Sequence, residues 1–303
     1  MIEIDFAGIP FKTPLVGVSG TAGYITDFKP FTDMNAFGGI AFKSITPLKR
    51  QGSPPPRVCE CEAGFINSIG LQNDGIEAFL TCHYPRAQAI PVQKIVNLAA
   101  FSIADFTHLV RKVAELDDIA LIELNVSCPN VDYNGRDFAS DSGLLRELIV
   151  SCTPLKKDKP LMIKLSPHGA VISELALLCE KYGADALSLV NTFRGMKINI
   201  DTWQPFIKKI VGGYSGIGIK PISLAMVYEA AQTVSIPILG IGGVTSYEDV
   251  IEYMLAGASL VGIGTASLMN PRIPKRILKR FKAYLHNRGI VAADLIGAMK
   301  ECP

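Results

Sequence analysis

One short segment places a thiol between two amides: Asn125-Val126-Ser127-Cys128-Pro129-Asn130. A thiol at such a position can act as a metal ligand, a nucleophile or a general base. A zinc site would need further ligands at the right spacing, and the close pair Cys59 and Cys61 has no second pair. A cysteine nucleophile needs a histidine, and only His168 follows a predicted strand. We therefore interpret Cys128 as a general base that removes a proton from carbon, and we predict no metal.

Amide side chains accompany this segment at the ends of predicted strands and in one insertion. Each amide offers donors and an acceptor, so a ring of amides suits a planar ligand with alternating N–H and C=O groups, such as a pyrimidine. A single asparagine more often caps a turn, but four that converge on one barrel mouth favour ligand binding. The four are Asn67, Asn125, Asn130 and Asn191, with Thr192 beside the last.

Two lysines end predicted strands, Lys43 the second strand and Lys164 the fifth. A lysine that points inward must face an anion or lose its charge. The anion could be a reduced flavin, whose negative charge lies near N1, or a carboxylate of the substrate. Either lysine alone could instead extend to solvent.

Glycine-rich segments follow the seventh and eighth strands, at Gly240–Val244 and Gly262–Ser267, and a third candidate is Gly212–Gly216. Glycine lets the backbone approach a ligand closely, and consecutive N–H groups bind anions. A (β/α)8 barrel often holds a phosphate at the loops after strands seven and eight. One such segment would indicate only a tight turn, but two at these positions favour a phosphorylated ligand.

The elements that position these residues are short apolar runs separated by helical patterns. Eight runs are typical of buried parallel strands in an α/β fold. Polar residues recur at the carboxyl ends of the strands, and no Gly-x-Gly-x-x-Gly follows the first, which favours a (β/α)8 TIM barrel over an open doubly wound sheet. The predicted strands are Leu15–Val18, Gly39–Lys43, Gln93–Ala99, Ala120–Val126, Leu161–Leu165, Ala184–Val190, Pro237–Ile241 and Ser259–Ile263. The predicted helices are Ser102–Glu115, Ser142–Cys152, Ile172–Tyr182, Leu224–Val234, Ser246–Leu255 and Pro271–Asn287.

A hairpin and two long connections complete the predicted architecture. Ile2–Thr13 alternates apolar and polar residues and can turn at Ala7-Gly8, which predicts an N-terminal hairpin under the barrel. Ser44–Pro91 follows strand two and Asn191–Pro221 follows strand six, and both are predicted insertions on the catalytic face. The pattern contains no linker, so we expect a single barrel domain over residues 1–303.

The composition excludes several other classes of protein. The 303 residues are 49% hydrophobic and 19% charged, and the net charge is +2, which argues against disorder and against nucleic-acid binding. No apolar run approaches the roughly 20 residues of a membrane-spanning helix, and no signal peptide is visible. Seven cysteines without a dense framework indicate reduced thiols, so we expect a cytoplasmic protein. Cys152 and Cys179 lie in predicted helices and are expected in the core.

Taken in order, these residues resemble the class 1 dihydroorotate dehydrogenases. Asn125–Asn130 resembles the catalytic loop of that family, Asn67–Asn73 resembles its substrate loop, and both motifs are specific. The resemblance runs from about Leu15 to Pro271 and implies an FMN-dependent oxidation of dihydroorotate to orotate in pyrimidine biosynthesis. The remaining matches are Ser19-Gly20-Thr21, Lys43-Ser44, Lys164–Pro167, Asn191-Thr192 and the late glycine loops.

The resemblance also implies a role for individual residues. Cys128 would remove the C5 proton while a hydride passes from C6 to flavin N5, and the loop Val131–Ser140 would close over the substrate. The residues implied to hold the substrate are Lys43, Asn67, Ile69, Gly70, Leu71, Asn125, Asn130, Asn191 and Thr192. The residues implied to hold one FMN per chain are Ser19, Gly20, Lys43, Ser44, Asn97, Asn125, Lys164, Val190, Ser215, Gly216, Gly242, Gly243, Gly264 and Thr265.

Within the family, Ile69–Asn73 is most similar to the NAD-linked class 1B catalytic subunit. That subclass implies a homodimeric core in a heterotetramer with an electron-transfer subunit that carries FAD and a [2Fe-2S] cluster. This chain lacks the four-cysteine spacing that such a cluster needs. The closing loop Val131–Ser140 and the segment Thr21-Ala22-Gly23 differ from the residues usual in the family. We expect these differences to affect turnover more than substrate identity. The alternatives are a fumarate-linked class 1A enzyme, a dihydropyrimidine dehydrogenase-like activity and a non-redox phosphate-binding barrel.

Overall fold

The fold is known from a computed structural model that describes residues 1–127, 138, 140–168 and 171–300. Eight parallel strands close into a barrel, as predicted, and each observed strand lies inside its predicted range. Their side chains are buried on both faces, which explains why the strands are continuous apolar runs instead of alternating ones. In chain order the strands are Leu15–Gly17, Gly39–Ala41, Gln93–Leu98, Leu121–Asn125, Leu161–Lys164, Ala186–Leu189, Ile238–Ile241 and Leu260–Ile263.

Six longer helices in the described part of the chain accompany the strands, and local capping sets where several of them begin. The Ser102 hydroxyl accepts the N–H of Asp105 at 3.1 Å, and Asp141 accepts that of Leu144 at 2.9 Å. These helices bury Cys152 and Cys179, as expected, and burial raises the pKa of Cys152 to about 12. The helices are Ile103–Ala114, Ser142–Cys152, Ile172–Lys181, Lys220–Ala231, Tyr247–Leu255 and Ile273–Arg288. Shorter helical turns are Met34–Ala36, Ile76–Ala78, Phe79–His83, Tyr84–Gln88, Thr153–Leu155, Ile217–Ile219, Thr265–Met269 and Ala292–Leu295.

The helix predicted at Leu224–Val234 has the wrong bounds, because it runs over Lys220–Ala231. The prediction treated Pro221 as the end of the preceding connection. Proline is instead favoured in the first turn of a helix, where its missing N–H has no intrahelical partner. No helix in the described part of the chain is long and apolar enough to cross a membrane.

The N-terminal hairpin is confirmed and covers the amino end of the barrel. Ile4–Phe6 pairs antiparallel with Ile9–Phe11, and Gly8 turns the chain at φ +79°. The Phe11 ring lies so close to Gly39, the first residue of the second barrel strand, that a Cβ there would be 2.5 Å from it. The opposite, carboxyl end of the barrel is left for the two insertions.

The two insertions meet in one four-stranded antiparallel sheet, which we call the insertion sheet. Its central pair joins Asn67 to Gly213, across 146 residues of sequence. The sequence patterns did not predict these strands, because they are short and half-exposed and lack a continuous apolar run. The strands of the insertion sheet, in spatial order, are Phe193–Gly195, Gly212–Ser215, Gly64–Asn67 and Val58–Cys61. A separate small hairpin, Ile198–Asn199 with Gln204–Pro205, projects from the second insertion.

Candidate active site

A cavity of about 1470 Å³ lies between the carboxyl ends of the barrel strands and the insertion sheet. Single-ligand cavities typically measure roughly 300–1,000 Å³, so this one has room for two ligands of moderate size. Every described residue predicted for the site lines it, with the exception of Asn97. The lining predicted residues are Ser19, Gly20, Lys43, Ser44, Asn67, Ile69, Gly70, Leu71, Asn125, Lys164, Val190, Asn191, Thr192, Ser215, Gly216, Gly242, Gly243, Gly264 and Thr265.

Hydrogen bonds link the amides at the base of the cavity. The Asn191 amide donates to Asn125 Oδ1 at 3.3 Å, and Asn125 Nδ2 donates to the Ser44 hydroxyl at 3.4 Å. The backbone N–H of Thr192 donates to Asn191 Oδ1 at 2.8 Å. Asn125 ends the fourth strand in register with Lys164 on the fifth, so neighbouring strands hold both groups at one level. Of the four asparagines predicted to converge, Asn67, Asn125 and Asn191 line the cavity, and Asn130 lies outside the described residues.

The predicted substrate loop, Asn67–Asn73, is held by the side chain of its last residue. Asn73 is 3% exposed, and its amide nitrogen donates to Thr46 Oγ1 at 2.7 Å and to the carbonyl of Leu71 at 2.8 Å. Its amide oxygen accepts the N–H of Gly75 at 2.8 Å and that of Thr46 at 3.2 Å. These four bonds use the full capacity of the amide. They stabilise two consecutive left-handed residues, Gly70 at φ +73° and Leu71 at φ +55°.

The two predicted lysines both reach the cavity. Lys164 is 5% exposed, and its ammonium donates to the Ser19 hydroxyl at 3.1 Å. Lys43 Nζ lies 5.3 Å from the centroid of the Tyr24 ring, and none of the ion pairs among the described residues involves it. Burial lowers the pKa of Lys43, while Asp27 and Asp74 act in the opposite direction. Its positive charge is therefore available to an anionic ligand.

The three glycine-rich segments converge at one end of the cavity. A Cβ on Gly243 would lie 3.0 Å from the carbonyl oxygen of Gly216, and the Thr265 hydroxyl donates to Ser215 Oγ at 2.9 Å. A Cβ on Gly242 would lie 2.3 Å from Ser223 Oγ. Side chains at these glycines would fill the space through which the backbone approaches its neighbours. Gly216, Gly242, Gly243 and Gly264 line the cavity at this end, and backbone N–H groups of such glycine segments can bind an anion.

Asn97 is the predicted cofactor residue that lies away from the cavity lining. It is fully buried, and its amide nitrogen donates to the carboxylate of Glu123, which also accepts the Ser188 hydroxyl at 2.7 Å. Asn97 Oδ1 has no hydrogen-bond partner among the described residues. A buried acceptor without a donor costs free energy, about 1–3 kcal/mol, unless a bound group supplies one. FMN carries a phosphate, which fits the glycine cradle, whereas Asn97 as placed has no surface open to the cavity.

Three of the predicted features fall outside the described residues. Cys128 and Asn130 lie in residues 128–137, and most of the predicted closing loop lies there too. Of that loop, Phe138 is buried with its ring edge-on to Phe106 at 5.5 Å, and Ser140 lines the cavity. The predicted catalytic segment continues from Ser127, whose hydroxyl donates to the carbonyl of Lys164 at 3.4 Å.

The sequence reasoning did not assign several charged or titratable residues of the cavity wall to the site, among them Arg50, Arg57 and His168. Arg57 donates to the Gln72 side chain at 2.6 Å, and Arg50 lies over the Phe101 ring at 4.7 Å. His168 Nε2 accepts the N–H of Arg194 at 3.1 Å, and burial, with the nearby Arg194, lowers the pKa of His168. The position of His168 directly after strand five was a usable signal. The two arginines only enter the site because the first insertion folds back.

The fold and the place of the cavity define a (β/α)8 barrel with its site at the carboxyl ends of the strands, the usual position in this architecture. The family model described as dihydroorotate dehydrogenase matches residues 1–285, so the chain belongs to the dihydroorotate dehydrogenase family. The family resemblance drawn from the sequence motifs is confirmed.

Relatives cover almost the whole chain. A protein of Caldicellulosiruptor bescii, named dihydroorotate dehydrogenase B (NAD(+)), catalytic subunit, is 40% identical over 98% of this chain and 99% of its own length. A Bacteroides fragilis protein of the same name is 38% identical over 99% of each chain. A Solibacter usitatus protein, provisionally named dihydroorotate dehydrogenase A (fumarate), is 42% identical over 99% of this chain and 98% of its own. Identity alone therefore does not separate the two electron acceptors.

Proposed function

We propose that this chain oxidises dihydroorotate to orotate in pyrimidine biosynthesis, acting as a single FMN-binding domain over residues 1–303. The observation that carries the proposal is the convergence of amides, two lysines and three glycine segments on one cavity, in a chain of the dihydroorotate dehydrogenase family. FMN, when bound, would supply the acceptor for the hydride that leaves C6 of the substrate.

The glycine end of the cavity would bind the FMN phosphate. Gly216, Gly242, Gly243 and Gly264 offer backbone groups there, and the hydroxyls of Ser215 and Thr265 lie beside them. Lys164 would face the flavin ring from the floor of the barrel, where its charge favours an electron-rich flavin. Ser19, Gly20, Ser44 and Val190 complete the proposed flavin wall, and the buried Asn97 would lie behind it.

The substrate would lie between the flavin and the loop Asn67–Asn73. Lys43 is the proposed partner of the substrate carboxylate, because its ammonium is half-buried and has no carboxylate partner among the described residues. Asn67, Asn125 and Asn191 would bind the N–H and C=O groups of the pyrimidine ring, together with Asn130 and Thr192. The backbone of Ile69, Gly70 and Leu71 would close the edge of the ring.

Cys128 is the proposed general base. Its thiolate would take the proton from C5 while the C6 hydride departs, so that a C5=C6 double bond forms and orotate results. Ser140, which lines the cavity, belongs to the segment that would exclude water.

The test is anaerobic reduction of the FMN-loaded protein by dihydroorotate. We expect dihydroorotate to bleach the visible absorption of FMN, and the Cys128→Ala protein to keep FMN but bleach far more slowly. Dihydrouracil is the matched ligand, because it lacks only the carboxylate. Equal bleaching by both substrates would indicate a dihydropyrimidine dehydrogenase-like activity, and a protein that stays colourless with added FMN would refute the flavin proposal.

We propose NAD as the final electron acceptor, reached through a partner subunit with FAD and a [2Fe-2S] cluster. Support comes from the motif Ile69–Asn73 and from the relatives whose names describe a catalytic subunit. Co-purification with an iron–sulfur flavoprotein that confers NAD reduction is the expected result. Efficient fumarate reduction by this chain alone would instead place it with the fumarate-linked enzymes.

We further propose that two copies form the core of the assembly. The small hairpin of the second insertion carries Ile200 and Trp203, which are 81% and 87% exposed, an unusual exposure for such large side chains. Asp201 on the same hairpin is exposed and could meet a positive charge of the second copy. Trp203→Asp should convert a dimer to a monomer in light scattering, and an unchanged mass would exclude this surface.

The five described cysteines, Cys59, Cys61, Cys82, Cys152 and Cys179, are all free thiols. This supports a reducing compartment, and we propose the cytoplasm.

A further inference from the structure

Lys43 rests on a cluster of side chains that lies outside the cavity lining. Its ammonium is 5.3 Å from the centroid of the Tyr24 ring, within the roughly 6 Å over which a cation is attracted to an aromatic face. Tyr24 itself is 6% exposed and does not line the cavity, although Gly23 does. Tyr24 can therefore act on a ligand only indirectly, through neighbours such as Lys43.

The Tyr24 ring is fixed from several sides. Its hydroxyl accepts the backbone N–H of Asp74 at 2.8 Å, and its own N–H donates to Asp27 Oδ2 at 3.0 Å. The imidazole of His83 stacks on the ring with centroids 3.5 Å apart and planes 8° apart. The ring consequently has little freedom to rotate away from Lys43.

Asp74 closes this cluster and ties it to the proposed substrate loop. Its carboxylate binds His83 Nε2 at 3.0 Å through one oxygen and Lys49 Nζ at 3.2 Å through the other. These two partners lower the pKa of Asp74. Asp74 directly follows Asn73, the residue that holds the loop Asn67–Asn73. The position of the Tyr24 ring is thereby coupled to the position of that loop.

We propose that Tyr24 is a positioning residue that aims the Lys43 ammonium at the ligand carboxylate, and that Asp74 and His83 hold Tyr24 in place. The inference rests on the proposed function, because it takes the Lys43 partner to be the carboxylate of dihydroorotate or orotate. A half-buried lysine without a carboxylate partner would otherwise turn toward solvent or toward Asp27. The aromatic face attracts the ammonium without neutralising it, so the charge stays available to the ligand.

The test compares Tyr24→Leu with Tyr24→Phe, and orotate with orotate methyl ester. Tyr24→Leu keeps an apolar side chain but removes the aromatic face, and we expect it to weaken orotate binding about threefold to tenfold, the range of a partly desolvated cation–π contact. KM for dihydroorotate should rise by a similar factor while kcat stays near the wild-type value. Tyr24→Phe keeps the face but loses the hydroxyl that accepts the Asp74 N–H, so we expect a smaller loss of orotate affinity than in Tyr24→Leu.

The methyl ester separates positioning of Lys43 from general damage. It keeps the pyrimidine ring of orotate but replaces the charged carboxylate with a neutral ester, so its affinity should be the same in the Leu variant and the wild type. FMN affinity, followed by flavin fluorescence, should also be unchanged in both variants. Equal losses for orotate and its ester, or no loss for orotate, would overturn the inference.

His83→Gln provides a second, milder variant in case Tyr24→Leu does not fold. It removes the stacked ring, and we expect a loss of orotate affinity in the same direction but smaller, again without loss for the ester. Wild-type protein that neither binds orotate nor is reduced by dihydroorotate would refute the proposed function itself. Wild-type protein that does both, with Tyr24 variants that match it, would refute only the positioning role.

Discussion

Gly243→Ala tests whether the glycine loop after strand seven needs glycine in order to pack closely against neighbouring backbone. Gly243 has φ +67°, and a Cβ there would lie 2.7 Å from Lys220 Cβ and 3.0 Å from both the Lys220 nitrogen and the Gly216 oxygen. These three atoms belong to the backbone or are fixed to it, so no side-chain rotation relieves the contact. Lys220 is further held by Asp249 at 2.6 Å and Glu252 at 2.9 Å. The loop itself must therefore move.

Gly289→Ala is the matched control. Gly289 has the same φ, +67°, but a Cβ there would meet nothing within 4 Å. It follows the helix Ile273–Arg288 as its left-handed cap, far from the cavity lining. The left-handed conformation costs an alanine about 1–2 kcal/mol at either position. The difference between the two variants consequently isolates the steric contact.

We expect Gly289→Ala to lower the free energy of unfolding by about 1–2 kcal/mol and Gly243→Ala by about 2–5 kcal/mol, because overpacking adds roughly 1–3 kcal/mol. Urea unfolding of the FMN-free proteins measures both values. Displacing the loop should also cost a backbone hydrogen bond to the phosphate. A hydrogen bond to a charged group is worth about 1.5–3 kcal/mol, so FMN affinity should fall roughly 10- to 100-fold in Gly243→Ala only.

Flavin fluorescence titration gives the affinities. Two variants with equal unfolding free energies would refute the steric argument. A Gly243→Ala protein that is destabilised but binds FMN as tightly as the wild type would remove this loop from the phosphate site.

Three further outcomes follow from the described geometry. Glu123→Leu should lower the free energy of unfolding by about 2–5 kcal/mol, because it leaves the Asn97 amide and the Ser188 hydroxyl as buried donors without an acceptor. The isosteric Glu123→Gln should lower it less, and equal urea midpoints for the two variants would contradict this. Orotate affinity should fall as pH rises through the pKa of Lys43, which is lowered below its ordinary 10.5, because the orotate carboxylate needs the charged ammonium. Lys43→Arg should abolish this loss of affinity at alkaline pH in calorimetric titrations. The pKa of Asp74 is lowered because His83 and Lys49 bind its carboxylate, so its stabilising effect is present above pH 3.8 and is lost as pH falls below that value. The unfolding midpoints of the wild type and Asp74→Asn should therefore converge in acid.

The barrel was predictable from the sequence because its strands are defined locally. Each strand is buried on both faces, so each must be a short continuous apolar run, and a run such as Leu121–Asn125 is visible without knowledge of its neighbours. The predicted catalytic and substrate motifs could be recognised for the same reason, because each is a set of adjacent residues. The start of the helix at Lys220 was missed because a proline can either end a helix or occupy its first turn.

The insertion sheet could not be predicted from the sequence in this way. Its strands are short and half-exposed, and the pairing of Asn67 with Gly213 depends on which distant segment lies beside each one. The same holds for Tyr24, Asp74 and His83, which are ordinary loop and helix residues until folding stacks them beneath Lys43. The placement of Asn97 beside Glu123, below the cavity lining, was likewise decided by cross-strand register.

The amino-acid sequence by itself therefore determined the barrel, the family and most residues that line the candidate site, since these depend on composition and spacing within short segments. Only the tertiary structure decided how the two insertions close the cavity and which side chains support Lys43 from behind. Those contacts join residues that are far apart in the chain, and their energies exist only once the barrel has brought the segments together.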